Sequence, residues 1–231
     1  MSRYYANEFC LMRLTLTFFL IVFATPNALT DNYDDIKIRY TSDYTLSSGI
    51  NYLKDIEPIN SDGTINVVVE IPAGTNGKWE ASKKTGDIEW EFINGKPRMI
   101  KYLGYPTNYG MIPRTLLSKD LGGDGDPLDV ILISSYIERG RIVTGKLIGV
   151  LKMLDRGKID DKLLMIGKDS PLYKANNLKE LKKHFPGILN IIETWFKNYK
   201  GPGKIKTNGY GSISDAKTIL DKSILEFKKI N

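Results

Sequence analysis

An α+β fold, mainly β, in which a closed or nearly closed barrel carries helices on its outside, follows from three features of the 231-residue sequence. Apolar, β-branched runs crowd residues 64–154, two amphipathic helical patterns come only near the end, and the βαβα alternation of a doubly wound sheet is missing. With 42% hydrophobic side chains a chain of this length can bury one core but is short for two independent domains.

The first segment is read as a targeting signal. Residues 14–24, LTLTFFLIVFA, follow Arg13 and precede Thr25 and Pro26. This uncharged run is about half the roughly 20 residues a spanning helix needs, and Val22-Phe23-Ala24 has the small-residue spacing of a cleavage site. Residues 1–28 are therefore predicted to be a signal peptide, with the protein exported to a periplasm or secreted and no stable membrane anchoring. A cytoplasmic location is the alternative if the run is not a working signal. Cys10 precedes the apolar run, where a lipoprotein cysteine would not be. Residues 29–50, polar and without a sustained period, are expected to be an extended, partly ordered lead-in to a domain spanning 51–231.

The elements of that domain follow in order. INVVVEIP, from residue 65, is rich in β-branched side chains and is stopped by Pro72 and Gly74, which predicts a strand. Short strands are expected over 78–81 and 87–92, joined through Thr85-Gly86. DVILIS (129–134) and IVTGKLIGVLKML (142–154) are apolar on both alternations and should be covered on both sides. Ile188, Ile191, Ile192, Trp195, Phe196 and Tyr199 recur at helical spacing, as do Ile213, Ala216, Leu220, Ile224 and Phe227 behind a Ser214 cap.

Composition removes several chemistries. One cysteine and one histidine, His184, exclude a disulfide framework, cysteine zinc sites and any metal site needing two histidines. No Gly-x-Ser-x-Gly elbow accompanies that histidine. The net charge of +6 is mild, and its lysines are spread along expected helix faces rather than gathered as a nucleic-acid stripe.

The sharpest local signal is GGDGDPLDV at 122–130. Pro127 disfavours a helical Asp126, so the segment is expected to be extended, with Asp124 and Asp126 converging on one face. Asp129 enters the buried strand. A second acidic pair, Asp155 and Asp160, lies past the other buried strand, and if the two strands are neighbours five carboxylates meet. At roughly 5 Å and an effective dielectric of about 20, each like-charge pair costs on the order of 3 kcal/mol, which calls for cations or protonation. Carboxylates without histidine or thiol are hard ligands suited to Mg²⁺, several ions per site, with Mn²⁺ also possible. An EF-hand does not fit, because the sixth position from Asp124 is Asp129 rather than glycine and the twelfth is Ser135 rather than glutamate. Lys78, Arg98, Tyr105, Tyr109, Lys162, Tyr199 and Lys200, near expected strand ends and turns, are suitable phosphate donors.

These motifs resemble the family I soluble inorganic pyrophosphatases over about residues 51–229. The most specific element is the D-x-D-P-x-D signature, Asp124-Gly125-Asp126-Pro127-Leu128-Asp129. EIPAGTNGKWE (70–80), YPTNYGMIP (105–113), GVLKMLD (149–155), DDK (160–162) and NYKGPGK (198–204) follow the family order. The resemblance implies an OB-like five-stranded β-barrel with flanking C-terminal helices, a homo-oligomer, and Mg-dependent hydrolysis of pyrophosphate to two phosphates by a metal-activated water. It implies metal-site roles for Asp124, Asp129, Asp155 and Asp160 with Glu70 and Glu80 nearby. Lys78, Arg98, Tyr109, Lys162, Tyr199 and Lys200 would contact substrate, and Asp126 would take the proton of the attacking water. A phosphatase acting on phosphate monoesters with the same metals is a rival reading. A single-strand nucleic-acid module is another, but clustered aspartates would repel a polyanion, so no nucleic-acid partner is expected.

Overall fold

The computed structural model describes residues 33–230; the expected signal peptide at 1–28 lies outside the described residues. The lead-in supplies two strands, β1 (Arg39–Ser42) and β2 (Thr45–Ser47). Then come β3 (Ile65–Ile71), β4 (Trp79–Ala81), β5 (Ile88–Trp90), β6 (Phe92–Ile93), β7 (Lys96–Pro97) and β8 (Asn108–Ile112). β9 (Leu128–Ile133), β10 (Ile142–Asp155), β11 (Lys158–Ile159) and β12 (Lys162–Gly167) complete the central part. Helices α1 (Leu178–His184) and α2 (Ile188–Asn198), strand β13 (Ile205–Gly211) and helix α3 (Ile213–Ile230) end the chain.

Five strands form a ring. The order β10-β12-β9-β8-β3 is closed by a further β10–β3 pairing, in which Ile142 to Gly145 lie opposite Val68 to Ile65. The length of β10 makes closure possible, because its first residues pair with β3, its middle with β12 and its end with β13. This is the expected five-stranded OB-like arrangement. All pairings in the ring are antiparallel except β9–β12, which is parallel. β8 can lie against β3 because residue 110 is glycine: a Cβ there would stand 1.9 Å from the Val68 carbonyl oxygen.

Both faces of the ring strands are apolar because each face has its own cover. In β9 and β12, Val130, Leu132, Leu163 and Met165 join a cluster with Ala216 and Leu220 of α3. Their neighbours Ile131, Ile133, Leu164 and Ile166 join a second cluster with Leu181 of α1 and Ile192, Trp195 and Phe196 of α2. A third cluster packs Val68 and Met111 against Leu46, Trp79 and Ile88, so the sheet β1-β2-β5-β4 covers one flank of the barrel.

Three differences from the sequence reading have local causes. Ser212, not Ser214, caps α3: its hydroxyl accepts from Asp215 N–H at 3.2 Å while Asp215 Oδ2 accepts from Ser212 N–H at 2.7 Å, a reciprocal capping box. β12 stands between β9 and β10, so those two strands are not neighbours. Tyr105 is packed 4.3 Å from the Trp195 ring inside the second cluster and does not line the acidic cleft described below.

Candidate active site

One cleft of about 810 Å³ at the barrel rim is lined by thirteen of the fourteen residues singled out in the sequence, Tyr105 being the exception. They are Glu70, Lys78, Glu80, Arg98, Tyr109, Asp124, Asp126, Asp129, Asp155, Asp160, Lys162, Tyr199 and Lys200. Strand topology explains the gathering. Because β12 runs parallel to β9, with Leu163 opposite Val130, the start of β12 falls beside the start of β9. Lys162 thereby reaches both Asp129 and Asp160 with its ammonium. The β10–β11 hairpin turns Asp155 back to the same rim, where Lys200 Nζ donates to its Oδ2 at 2.7 Å.

The opposite wall comes from β3 and β4. In β4, Trp79 and Ala81 are buried while Glu80 between them is exposed toward the cleft, 3.4 Å from Lys78 Nζ. Glu70, on β3, is buried and its Oε1 accepts the Ala81 N–H at 2.7 Å. Burial pushes the Glu70 carboxyl up to about 8, against the pull of Lys78, with Asp129 adding to the rise. Lys78 keeps its proton firmly: burial works against the charge, but Tyr105, Glu80, Glu70 and Asp129 outweigh it.

Residues 122–127 form a turn, not the extended stretch expected, and β9 begins directly after it at Leu128. Gly125 has φ +85°, and Asp124 Oδ1 accepts the Asp126 N–H at 3.0 Å. Leu117 brackets the turn through Gly125 N–H to Leu117 O and Leu117 N–H to Asp126 O, both 2.8 Å. Both aspartates still line the cleft, and Asp126 is half-exposed and ion-paired with Lys83.

Aromatic packing fixes the phenols. Tyr199 stacks on Trp195 with ring centroids 4.7 Å apart and planes 11° from parallel. The ammoniums of Lys78 and Lys162 lie 5.8 and 5.9 Å from the Tyr109 ring centre. Burial, reinforced by Asp129 and Asp160, raises Tyr109 well above the usual phenol range, and burial raises Tyr199 to about 12. Both are neutral hydroxyl donors at any physiological pH.

The carboxylates do not stand as a preformed cage: among the described residues no three or more acidic, histidine or cysteine side chains are gathered for a cation, because lysines separate them. Their environment nevertheless suits hard cations. Burial pushes Asp124 and Asp160 upward, and Asp155 Oδ1 is buried without a hydrogen-bond partner. Nine acidic and seven basic side chains line the cleft, leaving it formally two charges negative before any anion arrives.

Sequence reading missed Lys83, Lys84, Glu89, Glu91 and Lys158, which also line the cleft. They sit in the β4–β5 turn, in the middle of β5, just after it and in β11, where charge looks like ordinary solvation. A second cleft of about 770 Å³, with Asn60, Asp62, Asn66, Arg141 and Lys168 on its wall, holds none of the thirteen. Its buried Asn66 is engaged by Asn60 and by the Glu57 carbonyl.

Carboxylates interleaved with lysines, and phenols beside them, thus stand at the rim of a five-stranded β-barrel. The chain matches the family model described as Inorganic pyrophosphatase over residues 67–228, and it belongs to that family. It is 37% identical over 166 residues to the mitochondrial inorganic pyrophosphatase of Saccharomyces cerevisiae, which is 64% of this chain and 54% of that protein. To the inorganic pyrophosphatase of Picrophilus torridus it is 31% identical over 190 residues, covering 80% of this chain and 100% of that one. The chain thus spans about half the length of the yeast relative and 52% of a Drosophila melanogaster one, and all of the archaeal one. The structure of the Schistosoma japonicum inorganic pyrophosphatase superposes with a TM-score of 0.77 at 30% identity, covering 84% of this chain and 80% of that chain.

Proposed function

We propose that this chain hydrolyses inorganic pyrophosphate to two phosphates in the acidic cleft. The observation that carries the reading is the convergence of thirteen candidate residues, scattered from Glu70 to Lys200, on one rim that is rich in both carboxylates and ammoniums. Family membership supports it, since the relatives above bear that name.

Asp124, Asp129, Asp155 and Asp160 would hold Mg²⁺ or Mn²⁺, with Glu70 and Glu80 adding negative charge around them. Bound there, such ions supply positive charge to phosphoryl oxygens and make a water more acidic. The chain's own part is acid–base and electrostatic. Asp126, half-exposed at the cleft mouth, takes a proton from the attacking water and orients it. Lys78, Arg98, Lys162 and Lys200, with the hydroxyls of Tyr109 and Tyr199, receive the substrate oxygens and stabilise the charge that collects on the leaving phosphate.

The discriminating experiment is phosphate release by the purified chain with Mg²⁺, from pyrophosphate and from a panel of sugar and nucleotide monophosphates. Release from pyrophosphate alone is expected, and comparable rates on monoesters would reject the reading in favour of a general phosphatase. Export is part of the proposal. Among the described residues no helix is long and apolar enough to cross a membrane. Mass spectrometry of the exported protein should find an N-terminus between about residues 25 and 29. An intact residue 1–20 segment there would reject processing.

A further inference from the structure

Glu91 has no part in the chemistry just described, yet it ties together two cationic residues that do. It lies between β5 and β6, with its N–H donating to the Lys78 carbonyl at 2.9 Å and its own carbonyl accepting the Arg98 N–H at 2.7 Å. The Lys78 N–H in turn donates to the Arg98 carbonyl at 2.9 Å, and Trp90 Nε1 donates to that same oxygen at 2.9 Å. Lys78, Glu91 and Arg98, from three separate segments, are thus fixed in mutual register by backbone bonds. The side chains add a fourth link: Arg98 Nη1 donates to Glu91 Oε2 at 2.6 Å, with only about a quarter of each side chain exposed.

An acidic side chain on the wall of a cleft that must admit a polyanion is unfavourable unless it does something else. Here its charge is spent on one edge of the Arg98 guanidinium. A guanidinium carries five N–H donors in one plane, and a carboxylate that grips one edge leaves the other for a phosphate. Holding the long side chain in one rotamer before substrate arrives removes an entropy cost from binding.

We propose that Glu91 is a positioning residue that aims Arg98 at a phosphate of the substrate, an inference that rests on the pyrophosphatase reading. The test is a double-mutant cycle of Glu91→Ala, Arg98→Ala and the double variant, read as kcat/KM for pyrophosphate with Mg²⁺. Glu91→Ala is expected to lose about tenfold and Arg98→Ala about a hundredfold, with the double variant no worse than Arg98→Ala, because positioning has no value once its object is gone. Glu91→Gln, which keeps the shape and one acceptor, should recover part of the loss. That variant also serves in the cycle if truncation to alanine unfolds the segment. Losses that multiply in the double variant, or wild-type kcat/KM in both Glu91 variants, overturn the role of Glu91 while leaving the enzyme reading standing. A wild-type chain that releases no phosphate from pyrophosphate overturns both.

Discussion

Asp126→Asn is expected to lower turnover of pyrophosphate by about 10² to 10⁴-fold, the usual worth of a positioned general base, while the protein stays folded. The two side chains have the same shape, and only the carboxylate can accept a proton from water. Little else should change, because the turn that presents residue 126 is held by backbone groups and by Asp124, not by the Asp126 carboxyl. The pair with Lys83 is half-exposed on both sides, a setting in which ion pairs contribute little to stability. Turnover measured by phosphate release, beside a thermal melt, checks both halves of the expectation. Wild-type turnover in this variant would remove Asp126 from the mechanism.

Exhaustive treatment with EDTA should cost at least about 10³-fold, because several kcal/mol of charge stabilisation are withdrawn at once. The reason lies in the charge of the cleft, formally two units negative before a substrate that is itself a polyanion enters. Two carboxylates, Asp129 and Asp160, already share one ammonium, and Asp155 Oδ1 is buried without a donor. Adding Mg²⁺ back should restore the rate. It should also raise the melting temperature, since a ligand that binds only the folded protein stabilises it. Activity undiminished by chelation, or a melt indifferent to Mg²⁺, would end the metal proposal.

Local patterns in the sequence foretold most of what depends on local physics. The strands around Val67, Val130 and Val150 and the helices through Trp195 and Leu220 announce themselves by period and by their stops. β8 and β13 do not, because Gly110 and Gly209 interrupt them and polar residues replace the alternation. β12 reads as a bare apolar run, LLMI, that either a strand or a buried helix could claim. The site follows the same division. Asp124, Asp126 and Asp129 are legible because they lie within six residues. The placing of Lys162 between Asp129 and Asp160 is not, because it is decided by which strand sits beside which. The turn at Gly125 was hidden behind Pro127, whose influence on Asp126 says nothing about the residue before it. Glu91 was invisible for a similar reason: its partners Lys78 and Arg98 are brought to it by cross-strand bonds.

The way β10 clasps β3 at one end and β12 along its middle has a consequence for how copies of the chain could associate. A ring has no outermost strand, so its backbone offers no row of unpaired amides onto which a neighbouring molecule could add a strand. Assembly built on the five ring strands would have to rest on side chains alone. Strand addition is left to strands outside the ring: β13 and β11, each paired only with β10, and the flanking sheet, where β1 is only four residues long and begins with a charged Arg39.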